Sequence, residues 1–366
     1  MLRPRRLSIW PTLPLRAYRS ARLASLPFPL EDPRHRVFAR ARHGLWHGIH
    51  ALGIRAGDVV VAPAYHHGSE IEALERAGVV CRFYDVDDAL RPDEDALVRL
   101  LSSEVRALYL IHYFGFPQNV ARWRDWCTSH GLLLIEDAAM AFLSQSDGRP
   151  IGSTADLAIF CLYKTFALPD GGALFCSRPT AYPRGDRRFG VMQAALRSGS
   201  WLAQRSRAVA TVHAAIGGNR EPDWGRDFGL GDPRTPPSRT TTAMIPRIVD
   251  GNAAERRRAN YAALHRELGD RVDTLFDEVP GGACPIAFLF RMDPTQQGAV
   301  HEALAGQGVR LASFWLVPHP SVPSDGFDRS RDLRSSVVGL PVHQELSAND
   351  LDRIVDAFRR ATRRLR

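Results

Sequence analysis

Between residues 58 and 161 the chain keeps repeating one unit: a short, almost unbroken run of apolar β-formers, a turn, an amphipathic helical stretch, then another such run. The runs are GDVVVAP, VVCRFYDVD, RALYLIHYFG, GLLLIEDAA and DLAIFCLY, with helical spacing over 69 to 77, in DEDALVRLLSS and in VARWRDWCTSH between them. Strands that are apolar on both faces and joined through helices belong to a mostly parallel sheet flanked by helices, so the expected fold class is α/β. A helix over 43 to 52 precedes this region and ends at Gly53, and GGALFC adds a further strand after it. Such sheets bind ligands beyond the carboxyl ends of their strands. Polar residues collect at those ends: Tyr65, His66 and His67, then His112, then Asp137, then Lys164 past the strand at 156 to 161.

The rhythm breaks over residues 178 to 246, where one long helix around 189 to 216 is expected, followed by a Gly/Pro/Asp-rich loop over 218 to 242 that is long enough to be functional. A helix over 252 to 268 then opens a second unit with strands in CPIAFLFRM and GVRLASFWLV, a helix to about 306 and a last helix near 348 to 364. Ser347 and Asp350 give that last helix a capping-box start. The expected organisation is an N-terminal arm over 1–34, a large domain over 35–248 and a small C-terminal α/β domain over 249–366.

Composition removes several function classes. The net charge of +8 is spread along the chain beside 40 acidic residues instead of forming a stripe, so nucleic acid is not an expected partner. No apolar run approaches the roughly 20 residues that span a bilayer, so no membrane partner is expected. Five scattered cysteines without metal-ligand spacing point to reduced thiols, a cytoplasmic location and no bound metal. The first thirty residues are Arg-rich with no acid before Glu31, a weak likeness to a transit peptide, but prolines interrupt any amphipathic helix. An Arg- and Pro-rich arm lying across a partner subunit fits the segment equally well. No GxGxxG follows the first strand, which argues against a nicotinamide dehydrogenase.

Among 48 Lys plus Arg residues only Lys164 is a lysine. Arginine stays protonated, whereas a lysine can lose its proton and attack a carbonyl, and only the amine can form a Schiff base. Lys164 precedes Asp170-Gly171-Gly172, where glycines permit close backbone approach before the next strand. Asp137 ends a buried strand, where a carboxylate can pair with a protonated pyridine nitrogen. A lysine and such a carboxylate are the minimal apparatus for pyridoxal 5'-phosphate.

The stretches GDVVVAPAYHHGSEIEALERAGVVCRFYDVD, RALYLIHYFGFPQ, LLLIEDAA, GSTADLAIFCLYKTFALPDGGAL and VVGLPVHQELSANDLDRIV resemble the DegT/StrS-type sugar aminotransferases, of the aspartate aminotransferase (type I) fold. The resemblance implies a pyridoxal phosphate enzyme that moves an amino group from an amino acid, glutamate by expectation, to a keto sugar or related keto substrate. It further implies a homodimer with sites built from both subunits. Lys164 then matches the Schiff-base lysine, Asp137 the partner of the pyridine nitrogen, and Ala139 one ring face. His67 matches the aromatic residue stacked on the other face, with Tyr65 and His66 as alternatives. Ala41 and Arg42, after Arg40, fall where the family has a phosphate-binding Ser-Gly-Thr turn, and an arginine there can bind phosphate bidentately or face solvent. Cys161 replaces a phosphate-site serine, Met140 a ring-contacting glutamine, and Phe142 a histidine. Ser238 and Arg239 are the nearest counterparts of the segment that reaches the neighbouring subunit's phosphate. These departures mark a divergent member. Two alternatives stand beside transamination: another pyridoxal reaction (elimination, decarboxylation or carbon-carbon bond formation), or a non-catalytic protein on the same fold. Retention of Lys164 separates the chain from relatives that dehydrate sugars with histidine in its place.

Overall fold

The computed structural model describes residues 5–186, 188–215 and 228–363. Its strands are β1 (Arg36–Phe38), β2 (Val59–Pro63), β3 (Val80–Tyr84), β4 (Val105–Ile111), β5 (Leu133–Ala138), the hairpin β6 (Gln145–Ser146) and β7 (Arg149–Pro150), β8 (Leu157–Cys161), β9 (Gly172–Cys176), β10 (Asp273–Thr274), β11 (Ala287–Arg291), β12 (Ala312–Ser313) and β13 (Val337–Pro341). The helices are α1 (Ala41–Leu52), α2 (Ser69–Arg76), α3 (Glu94–Leu100), α4 (Val120–Ser129), α5 (Leu162–Thr165), α6 (Val191–Ala203), α7 (Arg207–Ala215), α8 (Arg239–Ile248), α9 (Ala253–Leu268), α10 (Pro294–Gly306), α11 (Asp328–Ser336) and α12 (Ala348–Thr362).

One sheet has the order β1-β9-β8-β5-β4-β2-β3 and the other, antiparallel, β10-β11-β13-β12. In the first, β3, β2, β4, β5 and β8 run parallel, and β9 and β1 join antiparallel at one edge. Every residue of β2, β8 and β9 is buried, as the unbroken apolar runs require when helices cover both faces. Helix α1 presses on β8 and β9 through glycines: a Cβ at Gly48 would come within 2.2 Å of Leu157, and one at Gly44 within 3.1 Å of Leu174.

Several expectations are corrected. The long helix over 189 to 216 is instead the pair α6 and α7, folded back on each other; His213 Nε2 contacts the Leu196 carbonyl at 3.2 Å, over Gly199, where a Cβ would lie 2.7 Å from the imidazole. The strand in GVRLASFWLV shrinks to β12 because Trp315, at φ 53°, turns the chain. Helix α8 lies partly inside the expected loop over 218 to 242, the rest of whose course includes residues outside those described. The first residues, expected as an arm, also pack along this chain. Leu7, Ile9, Leu13 and Ala17 are buried, and Leu7 bridges in parallel to Val309 beside the smaller sheet. Ser347 and Asp350 form the complete capping box of α12.

Candidate active site

At the carboxyl ends of β5 and β8 a cavity gathers Lys164, Asp137, Ala139, His67, Cys161 and the first turn of α1 with Arg40, Ala41 and Arg42. Met140, His112, Tyr163, Glu70, Ser69 and Trp315 complete most of the lining. Residues far apart in sequence meet because the parallel strands end on one side of the sheet and each hands its next residues to the same crevice.

Lys164 sits on the one-turn helix α5, directly after β8. The turn is braced from below: the Thr165 carbonyl accepts from Arg257 at 2.9 Å and from Gln344 at 3.0 Å, and Arg257 also reaches the Pro285 carbonyl at 3.0 Å. Beyond it, Asp170 does not face the chemistry. Its carboxylate accepts from the Ser238 amide and hydroxyl, both at 3.1 Å, and from Thr241, fixing the start of α8. Ser238 thus serves as an N-cap on this chain. Gly172 is needed for contact: a Cβ there would lie 2.0 Å from the Ala41 nitrogen, so any side chain would push the α1 N-terminus out of the cavity.

Asp137 is 6% exposed, and its two oxygens accept from the Tyr109 hydroxyl at 2.7 Å and the Ala139 amide at 2.8 Å. Burial pushes its carboxyl above the usual range, against the pull of those two donors and of Lys164. Next to it, His112 Nδ1 accepts from the Gln118 amide at 3.0 Å, so the proton sits on Nε2 and is given to Glu136 at 2.9 Å; the Gly152 amide donates to the same carboxylate oxygen.

The three neighbours after β2 separate cleanly. Tyr65 and His66 are fully buried, Tyr65 among Tyr113 and Trp315 and His66 against Phe83, while His67 faces the cavity. Burial, together with the charges of Lys164 and Arg42, lowers the His67 pKa to about 3, so the imidazole is neutral. At α1 the N-cap Arg40 offers no side-chain cap to the helix, which leaves first-turn amides and the positive helix end toward the cavity. Arg40 also lies 5.3 Å from the Tyr163 ring, in cation–π range.

Sequence reasoning passed over Glu70, Trp315, Tyr109, Arg257 and Arg334. Glu70 was open to detection, since it shares a helical face with Ala73, Leu74 and Ala77 where an acid is out of place. Arg257 and Arg334 look like any other arginine until the two sheets are brought together.

Residues 37–185 match the model of the DegT/DnrJ/EryC1/StrS aminotransferase family. The chain is similar over 349 residues, at 26% identity, to a dTDP-4-dehydro-2,3,6-trideoxy-D-glucose 4-aminotransferase of Saccharopolyspora spinosa, covering 90% of this chain and 85% of that protein. It is 25% identical over 322 residues to a UDP-N-acetyl-3-dehydro-alpha-D-glucosamine 3-aminotransferase of Acidithiobacillus ferrooxidans, covering 85% and 80% of the two. Among solved structures, the aminotransferase TlmJ of Streptoalloteichus hindustanus superposes with a TM-score of 0.66 at 23% identity, covering 91% of this chain and 86% of that one. NtdA of Bacillus subtilis with bound PMP superposes with a TM-score of 0.65 at 15% identity, covering 89% and 73%. At these identities the structural likenesses establish the fold.

Proposed function

We propose that this chain, a member of the DegT/DnrJ/EryC1/StrS aminotransferase family over residues 37–185, transfers an amino group from an amino acid donor, glutamate by our reading, to a keto sugar, with Lys164 as the amine that holds pyridoxal phosphate. The observation that carries this reading is that the only lysine in the sequence lines one cavity with a buried strand-end carboxylate and a helix N-terminus. The named relatives acting on nucleotide-linked dehydro sugars support the acceptor class.

The lining suits this cofactor on its own chemistry. Cations at the N-terminal end of α1, Arg40 and Arg42, suit a phosphate, and α5 brings the amine of Lys164; carboxyls come from β5 and α2, one of them Asp137, whose oxygens are held by two donors in a buried setting. A protonated ring nitrogen is a cation that suits that position. Ala41, Arg42 and Arg40 would take the phosphate on helix amides and guanidinium, with Cys161 only a weak donor beside them. His67 presents a neutral imidazole face, and Ala139 is small enough to let a flat ring approach.

Bound there, pyridoxal phosphate supplies an electron sink for a carbanion at the carbon that carries the amine. The protein does the rest. Asp137 keeps a proton on the ring nitrogen, and Tyr109 and the Ala139 amide hold that carboxylate in one orientation. Lys164 Nζ would hold the cofactor at rest and, when free, would carry a proton from the substrate carbon to the cofactor, ending with the proton count on its own amine unchanged. Trp315 and Met140 wall off water.

Pyridoxal-bound protein mixed with glutamate should lose its yellow colour as the cofactor becomes the amine form, and regain it on addition of a nucleotide-linked keto sugar. Failure with every common amino donor would favour another pyridoxal reaction. We also propose a homodimer: Tyr182, Phe189, Val191 and Met192 are 62% to 73% exposed, an apolar surface of the kind that marks an interface. A solution mass of one chain by light scattering would rule it out. The five cysteines are free, which supports a reducing compartment, and we assign the enzyme to the cytoplasm. Among the described residues no helix is long and apolar enough to cross a membrane.

A further inference from the structure

The turn from Ala64 to Glu70, which carries His67, is gripped from two sides by buried charged side chains that the reaction itself does not require. From above, Arg334, 6% exposed on α11, donates to the Ala64 carbonyl at 2.7 Å, to the His66 carbonyl at 3.0 Å and to the Trp315 carbonyl. From below, Glu70, 5% exposed, accepts from the His67 amide at 2.9 Å and from the Ser69 hydroxyl at 3.3 Å. The Ser69 amide points at His67 Nδ1 at 3.4 Å, which leaves the proton on Nε2. Gly68, at φ 110°, lets the turn close, and the Phe228 ring fills the space where its Cβ would be.

Helix α11 is itself anchored to the larger sheet's side of the molecule. Asp85, just past β3, accepts from the Arg329 amide at 3.0 Å and the Ser330 amide at 3.0 Å at the helix start. The guanidinium at the far end therefore ties a strand-end turn of the larger sheet to Trp315 of the other unit, and both His67 and Trp315 line the cavity.

We propose that Arg334 and Glu70 are positioning residues that together fix the orientation and tautomer of His67, with Arg334 also holding Trp315 as the facing wall. The Arg334 guanidinium has its hydrogen bonds to carbonyls and the Tyr65 ring 5.6 Å away, and a buried charge held this way is costly. Burial lowers the Arg334 pKa, and Tyr65 and Glu70 are the groups that chiefly counter it. Glu70 is raised by burial and by Asp137, against Lys164. The charges that bear on His67 are those of Lys164 on α5, Arg42 on α1 and Arg334 on α11, all of which disfavour its protonation.

The role of His67 at the ring rests on the function proposed above, but its tautomer does not, so the test starts without cofactor. Nitrogen-15 spectra of histidine-labelled full-length protein, with His67 identified by His67→Asn, should show an Nε2-protonated ring unchanged from pH 7 to pH 5. Glu70→Gln keeps an oxygen to accept from the His67 amide and should leave the spectrum, and the dissociation constant for pyridoxal phosphate, within about twofold. Glu70→Ala and Arg334→Lys should mix the tautomers and weaken the cofactor about tenfold, the scale of one hydrogen bond to a charged group. Glu70→Ala with the wild-type His67 spectrum and cofactor affinity would overturn the proposal, and so would a folded Arg334→Lys that behaves the same way. Should Arg334→Lys not fold, the Glu70 pair decides alone. Wild-type protein that never binds pyridoxal phosphate would count against the proposed function, while the histidine spectra would still judge the clamp.

Discussion

At the scale of single residues the proposed site rests on side chains whose chemistry has no close substitute. Asp137 can be replaced by an isosteric amide that keeps an oxygen for the Ala139 amide yet cannot stabilise a proton on a ring nitrogen. Asp137→Asn should fold with a melting temperature close to wild type and lose about 100-fold or more in kcat, the scale of one removed electrostatic contact that stabilises the reacting charge. Steady-state kinetics on the loaded enzyme checks this; an activity loss of less than threefold would remove Asp137 from the site. Lysine and strand-end aspartate stood out in the sequence because their chemistry is rare in their surroundings: one amine among arginines, and an acidic pair, Glu136 and Asp137, closing an apolar strand. His67 was legible only as one of three neighbours. The choice between them needed burial, since nothing in Tyr65-His66-His67 says which ring faces inward. Glu70 and Arg334 were missed because a buried charge is recognisable only by what surrounds it.

At the scale of elements the cavity depends on how closely α1 rides on β8 and β9. Gly172→Ala places a methyl 2.0 Å from the Ala41 nitrogen, backbone that cannot swing aside as a side chain can. The variant should bind pyridoxal phosphate at least about tenfold more weakly and melt several degrees lower, by the cost of overpacking; an unchanged dissociation constant would show that the α1 N-terminus does not form the phosphate site. Ser347→Ala gives a control far from the cavity. Loss of the α12 capping box should cost about 1 kcal/mol in denaturant unfolding and leave cofactor affinity untouched. The strand and helix pattern over 58 to 176 was readable because each element carries its own period and punctuation. The stretch from 189 to 248 was not. Its apolar spacing continues through the break between α6 and α7, and only the docking of His213 over Gly199 explains why the chain turns back.

For the whole molecule, buried histidines set the response to acid. Burial lowers the pKa of His67 and of His343 to about 3 and of His43 to about 4, each from an ordinary value of 6.5. The unfolded chain takes up protons near pH 6.5 and the folded chain does not, so stability is full above that pH and is lost as pH falls toward 4. Each such histidine contributes about 1.4 kcal/mol per pH unit in that window. Asp137 and Glu70, raised by burial, act in the opposite direction but are fewer. The melting temperature should hold steady from pH 8 to 7 and drop between pH 6 and 5; a flat profile to pH 5 would contradict the burial of these rings. The two-sheet architecture and the arm's place on its own chain belong to this scale too. Apolar residues such as Leu7 and Leu13 predict burial but do not say against what.

The central claim is that the one lysine of this chain carries the cofactor in a cavity shared with Asp137 and the α1 N-terminus. It is tested by reducing the pyridoxal phosphate-loaded protein with borohydride and mapping the labelled peptide. One pyridoxyl group per chain, located on Lys164 and absent from folded Lys164→Arg protein, is the predicted result. Protein that stays colourless and unlabelled, or a label found on the chain's amino terminus instead of Lys164, would contradict it.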